Sequence, residues 1–175
     1  MYENTYPKKR FSLTLEFLKE HLPVGSSILD LGVPNPFSQL MKEAGYQVSN
    51  TGGEDLDLDQ RAVQQNNYDA VTAFQILEHM VAPYLVLKEI KATMLFASVP
   101  LDLWFAPAYR NPTDPRDRHF HEFEDWQFDW LLEKANWDIK ARKKFTNPVN
   151  RPGIRPLLRK FTPRHYLVYA ERSAL

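Results

Sequence analysis

Ser27-Ile28-Leu29-Asp30-Leu31-Gly32-Val33-Pro34-Asn35-Pro36 reads as a buried strand that runs into a tight turn and then a helix. The apolar run ends in Asp30-Leu31-Gly32, and Phe37-Ser38-Gln39-Leu40-Met41-Lys42-Glu43-Ala44 carries on to a glycine stop at Gly45. Asn35 is a good N-cap and Pro36 suits the first helical position, so the helix starts there. In open α/β sheets, ligands bind at the carboxyl ends of strands, where such turns sit. Two prolines stand where a ligand-cradling loop has glycines.

Working outward, the pattern alternates. Upstream, Phe11, Leu15, Leu18 and Leu22 fall on one face of a helix over about residues 7 to 22, which Pro23 ends. After the Ile28–Val33 strand and the helix to Gly45, Tyr46–Thr51 reads as a second strand closed by Gly52-Gly53. An acidic stretch follows, Glu54-Asp55-Leu56-Asp57-Leu58-Asp59, with a short strand inside it. Tyr68–Phe74 is a third clear strand, nearly all apolar after Asp69, as a strand buried on both faces should be. A helix over about 83 to 92 opens at Pro83, and Met94–Pro100 is the next strand. This alternation predicts a mostly parallel sheet with helices on both faces. Residues 101–123 lack periodicity and concentrate proline, aromatic and histidine residues, as a functional loop or lid does. Phe128, Leu131, Leu132 and Ala135 mark a helix that Asn136 stops. Trp137–Ala141 and His165–Ala170 read as a closing antiparallel pair.

With 175 residues, one domain over residues 1–175 is expected, long enough to bury a core. Lys+Arg and Asp+Glu are both 22, so overall charge gives no reason to expect nucleic acid or an anionic membrane as partner. Zero cysteines exclude disulfides, cysteine-ligated zinc and a thiol nucleophile. The N-terminus is polar without an apolar signal core, and no stretch approaches the ~20 apolar residues of a membrane span. A cytoplasmic protein is expected.

Taken in order, Ile28-Leu29-Asp30-Leu31-Gly32, Tyr68-Asp69-Ala70-Val71, Ile76-Leu77-Glu78-His79-Met80 and Ser98-Val99-Pro100 resemble class I S-adenosylmethionine-dependent methyltransferases. His119-Phe120-His121-Glu122-Phe123, ahead of a helix and the Trp137-Asp138-Ile139 strand, looks like the small-molecule branch of that family. The ordered set spans about residues 26 to 140. It implies a Rossmann-like α/β fold, an S-adenosylmethionine cofactor, and a small or carrier-linked methyl acceptor. By the same resemblance, Asp30 and Gly32 face the methionine part of the cofactor, beside Pro34. Glu54 or Asp55 accepts from the ribose hydroxyls, Asp57 and Leu58 lie beside the adenine, and Phe74 and Gln75 floor the pocket. The chain departs from the family in its first loop, where Pro34 and Pro36 replace the second and third glycines. Proline fixes φ and removes an N–H donor, so the loop offers fewer donors and more bulk. The ribose-binding acid of the family falls near Gly52.

Methyl transfer from a sulfonium is an in-line displacement, so positioning supplies most of what a protein must provide. A base is needed only where the acceptor holds a proton, and histidine suits that role near neutral pH. His79, after the third clear strand, and His119 and His121, which point one way in an extended segment, are the candidates. Glu122, Asp114 and Asp117 lie near them, yet contacts within the lid account for that grouping, and no metal set is assigned. Trp104, Phe105, Tyr109 and Trp126 are candidate walls of an acceptor pocket. Phosphate-loop, Gly-x-Ser-x-Gly and His-Glu-x-x-His patterns are absent. From Ile139 through Ala170 every charged residue is basic, Lys140, Arg142, Lys143, Lys144, Arg151, Arg155, Arg159, Lys160 and Arg164 among them. Two alternatives follow: a non-catalytic binding module on the same fold, favoured by the prolines, and an RNA-directed enzyme using the basic stretch.

Overall fold

The computed structural model describes residues 8–147 and 152–173. Its elements are α1 (Lys8–His21), β1 (Ser27–Asp30), α2 (Pro36–Glu43), β2 (Gln47–Asn50), β3 (Ala70–Phe74), α3 (Pro83–Glu89), β4 (Met94–Pro100), α4 (Asp125–Lys134), β5 (Trp137–Thr146), α5 (Ile154–Leu158) and β6 (Pro163–Arg172). The six strands form one sheet in the order β2-β1-β3-β4-β6-β5. Strands β2, β1, β3 and β4 run parallel, while β6 is antiparallel to both β4 and β5. The order reverses at β1, with β2 on one side and β3 on the other, which opens a crevice at their carboxyl ends.

Strand alternation divides the core. Leu29, Val71, Leu95, Ala97, Val99, Tyr166, Val168 and Ala170 point to one face, where Val86 and Leu87 of α3 and Phe128 and Leu132 of α4 cover them. Ile28, Ala70, Phe96, Leu167 and Tyr169 point to the other, beneath Phe11, Phe17 and Leu18 of α1 and Phe37 and Met41 of α2. Each strand of the middle is thus apolar on both sides, as its sequence indicated.

Several boundaries differ from expectation. The strand expected to reach Val33 ends at Asp30, because Gly32 takes φ +107° and turns the chain. No strand forms within residues 54–59; Asp55 and its neighbours fold into turns, closed by bonds from Leu58 and Asp59 N–H to the Asp55 carbonyl. Thr14 and Phe17 join Phe11, Leu18 and Leu22 as the buried face of α1, leaving Leu15 partly exposed. The closing strands are longer than expected, β5 by five residues past Ala141. Helix α5 was not foreseen. Asn136, at φ +63°, stops α4 as expected. Pro7 and Arg151 lie outside the described residues. Among the described residues, no helix is long and apolar enough to cross a membrane.

Candidate cofactor and active site

A cavity of about 860 Å³ occupies the crevice at the ends of β1, β2 and β3. Asp30 and Gly32 reach it from β1 and its turn, Thr51 from the end of β2, and Phe74 and Gln75 from the end of β3. Glu54, Asp55 and Asp57 line it from the acidic loop, and His79 from the turn after β3. Pro34, Leu58, His119 and His121 do not line it. Leu58 is 82% exposed, so its expected place beside an adenine is corrected; Leu56, nearly buried, lines the wall instead.

Asp30 is buried and works as a tie within the turn. Its carboxylate accepts from Thr72 Oγ1 at 2.6 Å, Asn50 Nδ2 at 3.0 Å and Asn35 Nδ2 at 3.3 Å. Burial pushes its pKa up to about 6 in spite of these bonds. The turn is equally self-contained. Gly32 N–H donates to Thr51 Oγ1 at 2.7 Å, and Asn35 N–H to Ser38 Oγ at 2.9 Å. Phe37 and Ser38 N–H both donate to Asn35 Oδ1, which completes the capping box of α2. Pro34 and Pro36 have no N–H, so Val33 keeps the turn's one backbone donor without a protein acceptor among the described residues.

Gln75 sits at φ +57°, a left-handed conformation that costs a non-glycine residue about 1 kcal/mol. Its position is held on three sides. The backbone N–H donates to Ser98 O at 2.9 Å, Nε2 to Ser98 Oγ at 3.2 Å, and Oε1 accepts from Arg10 Nη1 at 3.4 Å. Arg10, with Phe11 and Thr14 of α1, also lines the cavity. Sequence reading missed this contribution, because α1 showed only an apolar face and Arg10 lies at its polar edge.

Asp57 reaches the cavity, but its carboxylate accepts from Val81 and Ala82 N–H, each at 2.7 Å, at the start of α3. Glu54 and Asp55 line the cavity, so acidic groups stand there although Gly52 offers none. In all, Asp30, Glu54, Asp55, Asp57, Asp114 and Asp117 line the cavity against Arg10 and Arg116. Such a wall favours a cationic ligand.

The structure brings two of the three expected histidines together. His79 and His119 pack edge to face, with ring centroids 4.7 Å apart. Phe120 and His121 N–H both donate to the Glu78 carbonyl, which staples the 101–123 loop to the turn after β3. Burial, then the neighbouring His79, lowers the pKa of His119. His121 stands apart. Its Nε2 faces Val81 O at 3.2 Å and its ring stacks on Phe123, so the one-sided alternation expected of an extended segment is corrected. Glu78, missed as a site residue, is 2% exposed with Oε2 lacking a hydrogen-bond partner, and burial raises its pKa to about 8. Trp104, Phe105, Tyr109 and Trp126 are not cavity walls; Trp126 pairs with Trp130 outside, and Phe120 supplies the loop's aromatic contact to the cavity.

No family model matches the chain, and no curated protein matches it in sequence. Solved structures do match. The 1,6-didemethyltoxoflavin-N1-methyltransferase of Burkholderia thailandensis, with bound 1,6-didemethyltoxoflavin and S-adenosylhomocysteine, superposes with a TM-score of 0.66 at 16% identity. That match covers 94% of this chain and 78% of the other. The chain has the class I S-adenosylmethionine-dependent methyltransferase fold. An S-adenosylmethionine-dependent methyltransferase of Archaeoglobus fulgidus gives 0.59 at 16% identity, over 93% of this chain and 94% of its own. The [4+2]-cyclase SpnF gives 0.57 at 12% identity, over 100% of this chain and 85% of its own. This methyltransferase fold therefore also carries a protein named for different chemistry.

Proposed function

We infer that the protein is an S-adenosylmethionine-dependent methyltransferase acting on a small or carrier-linked acceptor, with residues 101–123 as its lid. The observation that carries the reading is the carboxylate-rich cavity at the reversal of strand order. S-adenosylmethionine supplies an electrophilic methyl group on a cationic sulfur, which matches the sign of that wall. Glu54 and Asp55 are the acceptors for ribose hydroxyls, and Phe74 and Leu56 give apolar surface. Val33 N–H and the Arg10 guanidinium are the donors for a carboxylate, since the rest of the turn is bonded to itself. The His79–His119 pair marks the part of the wall where an acceptor meets the lid. The cysteine-free composition supports a cytoplasmic setting.

The test is calorimetric titration with S-adenosylmethionine and S-adenosylhomocysteine. Micromolar binding that weakens at least about tenfold in Arg10→Ala or Glu54→Gln agrees with these assignments, since loss of a charged hydrogen bond is worth about 1.5–3 kcal/mol. No binding of either compound by the folded protein supports the second reading, a non-catalytic module, which the self-bonded turn favours. The RNA-directed alternative loses ground to ion pairing. Lys140 meets Asp138 and Glu171, Arg142 meets Asp129, Lys143 meets Glu20, Lys144 meets Asp125, and Arg164 meets Glu122.

A further inference from the structure

We propose that Glu78, His79 and His119 form a binding site for a divalent transition-metal ion, with the open side of its coordination shell facing the cavity. One ligand atom from each of these side chains lies within 4.8 Å of the other two, and His79 Nε2 stands 4.0 Å from Glu78 Oε1. The ligand atoms of a tetrahedral zinc ion are about 3.3 Å apart, from Zn–N lengths of 2.0–2.1 Å. Small rotations of the two imidazoles close that difference.

Three independent features prepare the site. First, each imidazole already has its Nδ1 engaged, His79 by the Arg118 carbonyl at 3.0 Å and His119 by Glu122 Oε1 at 3.3 Å. An Nδ1–H donating to a carbonyl or carboxylate fixes the tautomer that leaves Nε2 with a lone pair, which is how metal-bound histidines are oriented. Second, the Glu78 carboxylate is sealed from water with Oε2 unpartnered, a costly state that a cation relieves. Third, the loop carrying His119 is fixed against Glu78 by the paired bonds to its carbonyl, so the ligands need no large movement to meet. Of the three, His79 alone lines the cavity, which gives an ion at the site a side open to it.

Two imidazoles and one carboxylate without thiolate suit zinc, manganese, iron or cobalt rather than magnesium, which prefers oxygen ligands. Oxygen atoms of water or of a bound acceptor complete the shell. That last role rests on the proposed methyltransferase reading, whereas the metal site itself does not. A metal-bound imidazole has no lone pair left for a proton, so ligation replaces the general-base duty expected of His79 and His119.

The experiment is titration of the full chain, free of cofactor, with Zn²⁺ by calorimetry and with Co²⁺ by visible absorption. One equivalent of Zn²⁺ should bind with micromolar or tighter Kd, and Co²⁺ should develop the intense d–d bands of a four- or five-coordinate site. His79→Ala and His119→Ala should each abolish both signals. Glu78→Gln should weaken Zn²⁺ binding at least about tenfold while the metal-free variant stays folded, because the amide keeps the size of the buried carboxyl group. Nitrogen-detected NMR of the wild-type chain gives a readout independent of the variants: both Nε2 resonances should shift on adding Zn²⁺ while both Nδ1 stay protonated. Absence of stoichiometric binding overturns the proposal. So does binding that survives in a folded His119→Ala chain, or Nε2 shifts confined to other histidines. Because no S-adenosylmethionine is present, failure here leaves the cofactor reading standing, and failure of cofactor binding leaves the metal site standing.

Discussion

Asp30 shows how a residue's place can be legible in sequence while its bonds are not. Its position at the end of β1 was legible from the apolar run and the glycine two residues later. Its bonds were not, because Thr72 and Asn50 approach from strands 42 and 20 positions away. Asp30→Ala leaves a hydroxyl and two amides without their acceptor, so it should lower unfolding free energy by about 2 kcal/mol in urea titrations. Unchanged stability with reduced cofactor affinity would restore a ligand contact. His165 gives a second residue-scale expectation. It is buried on β6 with Nδ1 unpartnered, and burial, then Arg10 and Arg164, depress its pKa to about 3. The unfolded chain takes up that proton near pH 6.5 and the folded chain does not, so His165 removes stability as pH falls from about 6.5 to about 3. Relative to His165→Gln, the wild type should lose up to about 1.4 kcal/mol per pH unit across that window, measured by denaturation at pH 7 and pH 4.5.

Among the elements, α2 was the most legible, because Asn35, Pro36 and Gly45 are local signals that act within one turn. Asn35→Ala removes the cap and one tie to Asp30, and should cost about 1–2 kcal/mol by thermal or urea unfolding. β4 was read to its last residue, since a strand buried on both faces has no polar alternation to blur its ends. Of the candidate site, Asp30, Gly32, Phe74 and Gln75 at strand ends reach the cavity, as do Glu54, Asp55 and Asp57 of the acidic loop, whereas Leu58 does not. Arg10, Glu78 and the meeting of His79 with His119 were not legible, since they depend on contacts between segments far apart in sequence. The missed α5 has the same origin in weak local signal: five residues with Pro156 inside carry too little periodicity to declare a helix.

On the scale of the molecule, two cores share one sheet, and the C-terminal strand locks them. Arg172 lies 4.0 Å over the Trp137 ring and donates to the carbonyls of Ala135 and Ile90, joining β6 to the ends of α3 and α4. A ligand held by the cavity stabilises this whole unit by mass action. S-adenosylhomocysteine at about 100 times its Kd should therefore raise unfolding free energy by about 2.7 kcal/mol, seen as a higher Tm. The 101–123 loop has a different standing. Leu101 and Phe123 form a β-bridge, and Asp102 N–H donates to the Phe123 carbonyl at 2.8 Å, so the loop's two ends are fixed next to each other. Closure entropy grows only slowly with loop length, about 0.6 kcal/mol for each doubling. The stretch from Trp104 to Ala108, before Tyr109 with its bond to Glu122 and its ring contact to His119, can thus change in length at little cost to the sheet. Variation in that stretch, which does not line the cavity, would leave the sheet and the groups around the cavity as they are.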